Sequence, residues 1–202
     1  MKFKHYITVP KEYLELNKYE LLIIVHLYME KYIDRKISVF TILTLAQLYN
    51  INTESKKRSL SDAFNSLIEK NIISAIKKNN SWIVDLDKIE AKKSYFFRVY
   101  NCDIYKIFES EDINLFRYYC IIMSSINSKT RESRISITML GKKYNLGRKT
   151  ILRYNNILEQ MKILKIDHGN YLNCNIYRNC NEYELKNNWD SAHEKFEELP
   201  AV

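Results

Sequence analysis

Leu45-Ala46-Gln47-Leu48-Tyr49-Asn50-Ile51 is echoed 95 residues later by Leu140-Gly141-Lys142-Lys143-Tyr144-Asn145-Leu146. Both stretches open on leucine, place a small residue second and close on Tyr-Asn and a branched aliphatic. Further on, Ser66-Leu67-Ile68-Glu69-Lys70-Asn71-Ile72-Ile73 matches Ile157-Leu158-Glu159-Gln160-Met161-Lys162-Ile163-Leu164 at an offset of 91. The four-residue difference between the offsets is assigned to the turn of the first copy, near Asn52–Ser55. A period of this length is domain duplication rather than a solenoid. A chain of 202 residues has room for two small domains.

Working outward from the matched stretches, each copy reads as the same string of elements. A long apolar helix leads. In the first copy Asn17-Lys18-Tyr19-Glu20 is a capping-box-like start before Leu21 to Tyr32. In the second, Ser110-Glu111-Asp112 opens a helix through Leu115, Tyr119, Ile122 and Ile126. A short helix follows, Thr41–Tyr49 or Thr138–Tyr144, then a turn and a third helix, about Lys57–Lys70 or Arg148–Met161. A β-hairpin closes each copy. The first has Ile72–Ile76, the loop Lys77-Lys78-Asn79-Asn80-Ser81, and Trp82–Leu86. The second has Ile163–Ile166, the loop Asp167-His168-Gly169-Asn170, and Tyr171–Tyr177.

This order of elements resembles the winged helix-turn-helix superfamily. The tandem arrangement is similar to that of plasmid replication initiators and of conjugation or transcription regulators from Gram-positive mobile elements. The resemblance covers nearly all of residues 7–180 and rests on element order and the repeat. It implies a mainly α chain with small β-hairpins (an α+β class). The units are residues 1–92 and 93–180, followed by an acidic C-terminal helix over 181–202.

The third helices are the candidate reading heads. At about 100° per residue, Ile151, Tyr154, Ile157, Leu158 and Met161 share one face of the second copy's helix. Arg148, Lys149, Leu152, Arg153, Asn156 and Gln160 point the other way. In the first copy Leu60, Ala63, Phe64 and Leu67 form the apolar stripe, opposite Arg58, Ser61, Asp62, Asn65 and Glu69. Arg and Lys reach guanine or phosphate, Asn can bond adenine at two points, and Leu152 can touch a thymine methyl or a partner subunit. The start of the helix, Gly147-Arg148-Lys149-Thr150, offers backbone N–H groups to an anion. Lys142 and Lys143 on the preceding helix lie beside the backbone in this reading, as do Lys56 and Lys57 in the first copy. The wings add Lys77, Lys78, Asn79 and Asn80, and more weakly His168 and Asn170. His168 is otherwise a turn residue.

Charge follows the same plan. Residues 35–78 carry net +5 and residues 125–165 net +8, whereas 1–34, 79–124 and 166–202 carry 0, −1 and −4. Both basic blocks contain a short helix and a third helix, as a polyanion-binding surface requires. Asp62 stands where the second copy has Arg153, so the second copy is expected to supply more of the salt-dependent affinity.

Other chemistry is thinly represented. The glycines, Gly141, Gly147 and Gly169, form no phosphate-cradling loop. Cys102, Cys120, Cys174 and Cys180 form no CxxC pair, and the histidines, His5, His26, His168 and His193, lack metal-ligand spacing. Asp85 and Asp87 read as the wet side of a strand rather than a catalytic pair. No cofactor, metal or enzymatic activity is expected. The absence of an export signal or an apolar run of membrane-spanning length points to the cytoplasm. Asn181–Val202 combines Glu182, Glu184, Asp190, Glu194, Glu197 and Glu198 with Leu185, Trp189 and Phe196. It reads as a packing helix or a docking surface for a protein partner.

Three functions are carried forward. The first is a sequence-specific double-stranded DNA-binding protein, a regulator or accessory factor of plasmid maintenance or conjugative transfer. The second is a replication initiator binding origin repeats. The third is a winged-helix protein-interaction scaffold.

Overall fold

Asn17 ends an extended segment and starts the first long helix, α1 (Lys18–Tyr32). Its side chain accepts from the N–H groups of Tyr19 and Glu20, at 2.9 and 3.0 Å, and its own N–H donates to Glu20 Oε2 at 3.0 Å. The capping box expected from the sequence is therefore present. Every residue from Tyr19 to Leu27 is buried, so α1 has no wet face over two turns and serves as a central post. The computed structural model describes residues 6–33, 35–89, 95–169 and 174–180. The chain is α+β and divides into two compact units, residues 1–124 and 125–202.

In the first unit α1 is followed by strand β2 (Ile37–Phe40), α2 (Ile42–Leu48), α3 (Glu54–Glu69), β3 (Ala75–Lys78) and β4 (Ser81–Asp85). The three strands form an antiparallel sheet in the order β2-β4-β3, where the sequence reading had only a hairpin. Phe64 of α3 is fully buried between Phe40 and Trp82 of this sheet, with ring centroids 5.3 and 4.9 Å away. Truncating such an aromatic costs about 3–5 kcal/mol. Glu20 joins α1 to α3: its buried carboxylate accepts from Ser66 Oγ at 2.7 Å and Lys70 Nζ at 2.6 Å. Burial pushes that carboxyl up, but the bonds from Lys70, Ser66 and the Asn17 amide outweigh it and hold it below the usual range.

Elements the sequence reading did not contain complete this unit. Strand β1 (Tyr6–Pro10) pairs antiparallel with β5 (Phe96–Tyr100), Tyr6 opposite Tyr100, and a 3-10 turn (Lys11–Glu15) joins β1 to α1. Then come α4 (Asn101–Glu109), also absent from that reading, and α5 (Ile113–Ser125), which is the helix expected after Ser110-Glu111-Asp112. Glu111 takes a left-handed φ of 55°, and Asp112 alone caps α5, accepting from Asn114 and Leu115 N–H. Buried Asp103 accepts from the Tyr119 hydroxyl at 2.9 Å, and that oxygen accepts from the Tyr100 amide at 3.1 Å.

The second unit has β6 (Ser133–Ser136), α6 (Ile137–Tyr144), α7 (Arg148–Gln160), β7 (Leu164–His168) and β8 (Cys174–Asn179). Its sheet order is β6-β8-β7, again antiparallel. The sequence reading set its boundary at 92/93, ahead of β5 and α4, whereas the string of elements that begins at α1 begins again at α5. The packing boundary at 124/125 leaves α4 and α5 with the first unit.

Three expectations need correcting. The four extra residues of the first copy do not all lie in its turn. The turn from Tyr49 to the cap at Thr53 is one residue longer than that from Tyr144 to Gly147, while α3 has 16 residues against 13 in α7. The buried quartets Leu60, Ala63, Phe64, Leu67 and Ile151, Tyr154, Asn155, Leu158 keep the offset of 91. The added residues therefore extend α3 at its N-terminus. The first hairpin has no five-residue loop: Lys77 and Lys78 belong to β3, and the turn is Asn79-Asn80, with φ of 47° and 62°. Positive φ at both positions is what a two-residue type I′ turn demands. Asp85 ends β4, and Asp87 lies in the following turn, its N–H donating to Asp85 Oδ1 at 3.1 Å. The acidic C-terminal helix proposed for 181–202 lies outside the described residues, as does Asn170.

Left-handed corners recur. Among the described residues eight non-glycine positions have positive φ, five of them asparagine: Asn50, Asn71, Asn79, Asn80 and Asn145. The others are Glu111, Arg131 and Lys162. No helix among the described residues is long and apolar enough to cross a membrane.

Candidate nucleic-acid interface

The α6–α7 corner of the second unit gathers half of the lysine and arginine side chains singled out in the sequence, Lys142, Lys143, Arg148, Lys149 and Arg153. Ser136 caps α6, accepting from Met139 N–H at 3.0 Å. The helix ends on Asn145 in the left-handed conformation, and the N–H groups of Asn145 and Leu146 both return to Gly141 O. A Cβ on Gly141 would stand 2.9 Å from Leu146 O, so this corner closes only over glycine. Gly147 then caps α7 with no side-chain acceptor, which leaves the first N–H groups of the helix without a side-chain partner.

Side chains of α7 divide cleanly. Ile151, Tyr154, Asn155 and Leu158 are buried, and Arg148, Lys149, Leu152, Arg153, Asn156 and Gln160 are exposed. Thr150 is half-buried, and Lys142 and Lys143 are exposed at the end of α6. The Arg153 guanidinium lies 4.9 Å from the Tyr154 ring centroid, and Lys143 Nζ lies 5.2 Å from that of Tyr144. Such stacking lays a flexible cation along the surface and lowers the entropy cost of presenting it. Arg148, Lys149 and Arg153 outnumber the single acid of α7, Glu159, whose carboxylate is engaged by the Ile166 amide at 3.2 Å.

The first unit places its counterparts differently. Arg58, Asp62, Asn65 and Glu69 are exposed on α3, while Lys56, Lys57 and Ser61 are half-buried. The added turn begins with Glu54, which holds Lys57 Nζ at 2.7 Å. Thr53 caps the helix, accepting from Lys56 N–H at 3.3 Å. The turn before α3 is tied to the α4–α5 corner: Asn50 Nδ2 donates to Phe108 O at 3.1 Å and Asn52 Nδ2 to Glu111 Oε1 at 3.0 Å. Lys56 Nζ reaches Glu111 O at 3.5 Å. Three bases and three acids leave α3 electrically neutral.

In the two hairpins Lys77, Lys78 and His168 occupy strand rather than loop positions, while Asn79 and Asn80 stay in the turn. Lys77 and Lys78 are exposed on β3, Lys77 Nζ lying 5.6 Å from the Trp82 ring centroid, and Asn79 and Asn80 form the exposed tip. His168 is exposed at the end of β7. Arg178 of β8 binds Glu132 Oε1 through Nε at 2.8 Å and Nη2 at 2.6 Å, and Asp167 through Nη1. Hydrogen bonding to Arg178 is the main reason that both carboxyls sit below their ordinary range.

Sequence reasoning missed the support beneath α7. Asn155 is fully buried and its amide donates to the Tyr177 hydroxyl at 3.2 Å, which also accepts from Asn175 Nδ2 at 3.3 Å. These bonds fix α7 to the sheet by a polar peg where the first unit uses Phe64. The chain matches no protein-family profile and no curated protein.

Proposed function

We propose that the chain is a sequence-specific duplex DNA-binding protein built on two winged helix-turn-helix units, with α7 of the second unit as its reading helix. The observation that carries this reading is the exposed cation set Lys142, Lys143, Arg148, Lys149 and Arg153 around a helix start that lacks a side-chain cap. Support for the tandem units comes from the element order. Helix, strand, helix, helix and two strands occur twice, and in each sheet the last strand lies between the other two.

At the α6–α7 corner the phosphate-facing groups are Lys142 and Lys143 of α6, Lys149 of α7 and the first N–H groups of α7. Arg153 and Asn156, one turn further along, are placed to reach base edges in a major groove. The first unit contributes little direct affinity, since Glu54 and Asp62 offset the cations of α3. Of the roles the resemblance implies, a regulator or accessory factor of plasmid maintenance or transfer asks least beyond duplex binding. The test is a fluorescence-polarisation titration of labelled genomic duplexes at two salt concentrations. Binding that weakens steeply with salt is expected. No binding at low salt removes the proposal.

A further inference from the structure

The two three-stranded sheets have the same strand order but opposite outer faces. In the first unit the central rung is Val39–Ile83–Ile76 across β2, β4 and β3. Val39 is 63% exposed and Ile76 70%, and Ile37, on the neighbouring rung beside Asp85, is 54% exposed. In the second unit the corresponding rung is Arg134–Ile176–Asp167, and Arg178 ties Asp167 to Glu132 across it. A polar outer face is thus compatible with this sheet, and the first unit instead presents a row of branched aliphatics between two open edge strands. Such a face is an aggregation hazard unless something covers it.

We infer that the outer face of the first unit's sheet is where a second copy of this chain packs, face to face. Charge selects the occupant. The aliphatic rung is flanked by Asp85 on one side and by the Lys78–Ser81 rung on the other. Asp85 is 3.3 Å from Lys88 and keeps acceptor capacity toward solvent. A two-fold axis lying along the aliphatic rung sets Val39, Ile83 and Ile76 of one copy on the same residues of its mate. It also carries Asp85 of each copy onto the Lys78–Ser81 rung of the other. A sheet is its own electrostatic complement in this arrangement. A uniformly acidic or uniformly basic partner would leave one end opposed by like charge. The inference goes beyond DNA binding and does not require it.

The test is sedimentation equilibrium of the full chain without DNA, across a protein dilution series. Reversible dimers are expected. Val39→Glu or Ile76→Glu should each weaken association at least about tenfold, because a carboxylate is buried against aliphatics. Thermal melts of the monomer should be unchanged, since both side chains are exposed. Asp85→Lys and Lys78→Asp should each weaken the dimer, and the double exchange should restore it. A chain that is monomeric at about 100 µM, or dimers indifferent to Val39→Glu, overturns the inference. Failure of the double exchange to restore association overturns the two-fold arrangement. Val39→Glu should still bind duplex DNA with its salt dependence intact, so a failure of the DNA reading is recognised separately.

Discussion

Replacing Lys149 by alanine is expected to change both the affinity for duplex DNA and its response to salt. If Lys142, Lys143, Arg148, Lys149 and Arg153 each neutralise one phosphate, the slope of log K against log salt is about −4.5, at about −0.9 per phosphate. Raising salt from about 50 to about 200 mM then weakens binding about 500-fold. Without Lys149 the slope is about −3.6 and the same rise costs about 150-fold. Arg153→Ala gives the same slope change if it meets phosphate. If Arg153 reads a base, the loss is about 1–3 kcal/mol and confined to one position of the site. Lys57→Ala should do far less, because Glu54 already holds that ammonium at 2.7 Å. Asp62→Ala removes an anion from the equivalent helix and should not weaken binding. Fluorescence polarisation at four or more salt concentrations, with helix content checked by circular dichroism, measures both quantities. Equal losses from Lys57→Ala and Arg58→Ala as from Lys149→Ala and Arg153→Ala would refute the assignment of α7 as reading helix.

His26 is buried, which holds its imidazole down at about pKa 4, with Nδ1 3.0 Å from the Tyr49 hydroxyl. Its folded value lies below the unfolded one, so the stability it carries is complete above about pH 6.5 and drains as pH falls toward 4, up to about 3 kcal/mol in all. Urea midpoints at a series of pH values should show this fall, and His26→Gln should flatten it. Gly141→Ala should destabilise the second unit by about 1–3 kcal/mol, since its Cβ meets a backbone carbonyl that cannot swing away. Ala46→Gly, at the matching place before a longer turn, should cost about 1 kcal/mol, and thermal melts compare the two. Asn155→Ala removes one of the two amides that bond Tyr177 and should cost about 1–3 kcal/mol by urea denaturation, with DNA affinity falling as α7 loosens.

What the residues disclosed were features with a local cause. The capping box at Asn17, the apolar stripe and exposed face of α7, and the paired Tyr-Asn corners each follow from neighbours within a turn or two. What they concealed depends on distant partners. Strand β1 is five residues long and finds β5 only after three helices and a three-stranded sheet have intervened, so Tyr6-Ile7-Thr8-Val9 carried no sign of its mate. Strands β2 and β6 have four residues each, too short for alternation alone to distinguish them from loop. Asn155 sits beside Asn156 in a polar stretch, and the Tyr177 hydroxyl that its amide bonds across the unit, 22 residues away, helps make its burial tolerable. The longer N-terminus of α3 was hidden because Glu54-Ser55 suits a turn as well as a first helical turn. Its cap, Thr53, would have been the signal to weigh.

The left-handed corners also define a place where this chain can be hardened without redesigning any surface it works with. An L-residue pays about 1–2 kcal/mol in that conformation, and glycine, which does not, gives back about half of the difference through its looser unfolded chain. Lys162, exposed just after α7 at φ 56°, is such a corner and takes part in no hydrogen bond through its ammonium among the described residues. A glycine there would raise the melting temperature of a preparation while leaving the exposed cations of α7 and the aliphatic face of the other unit untouched. Biochemists needing a sturdier sample for crystallisation or long titrations can begin with that one codon.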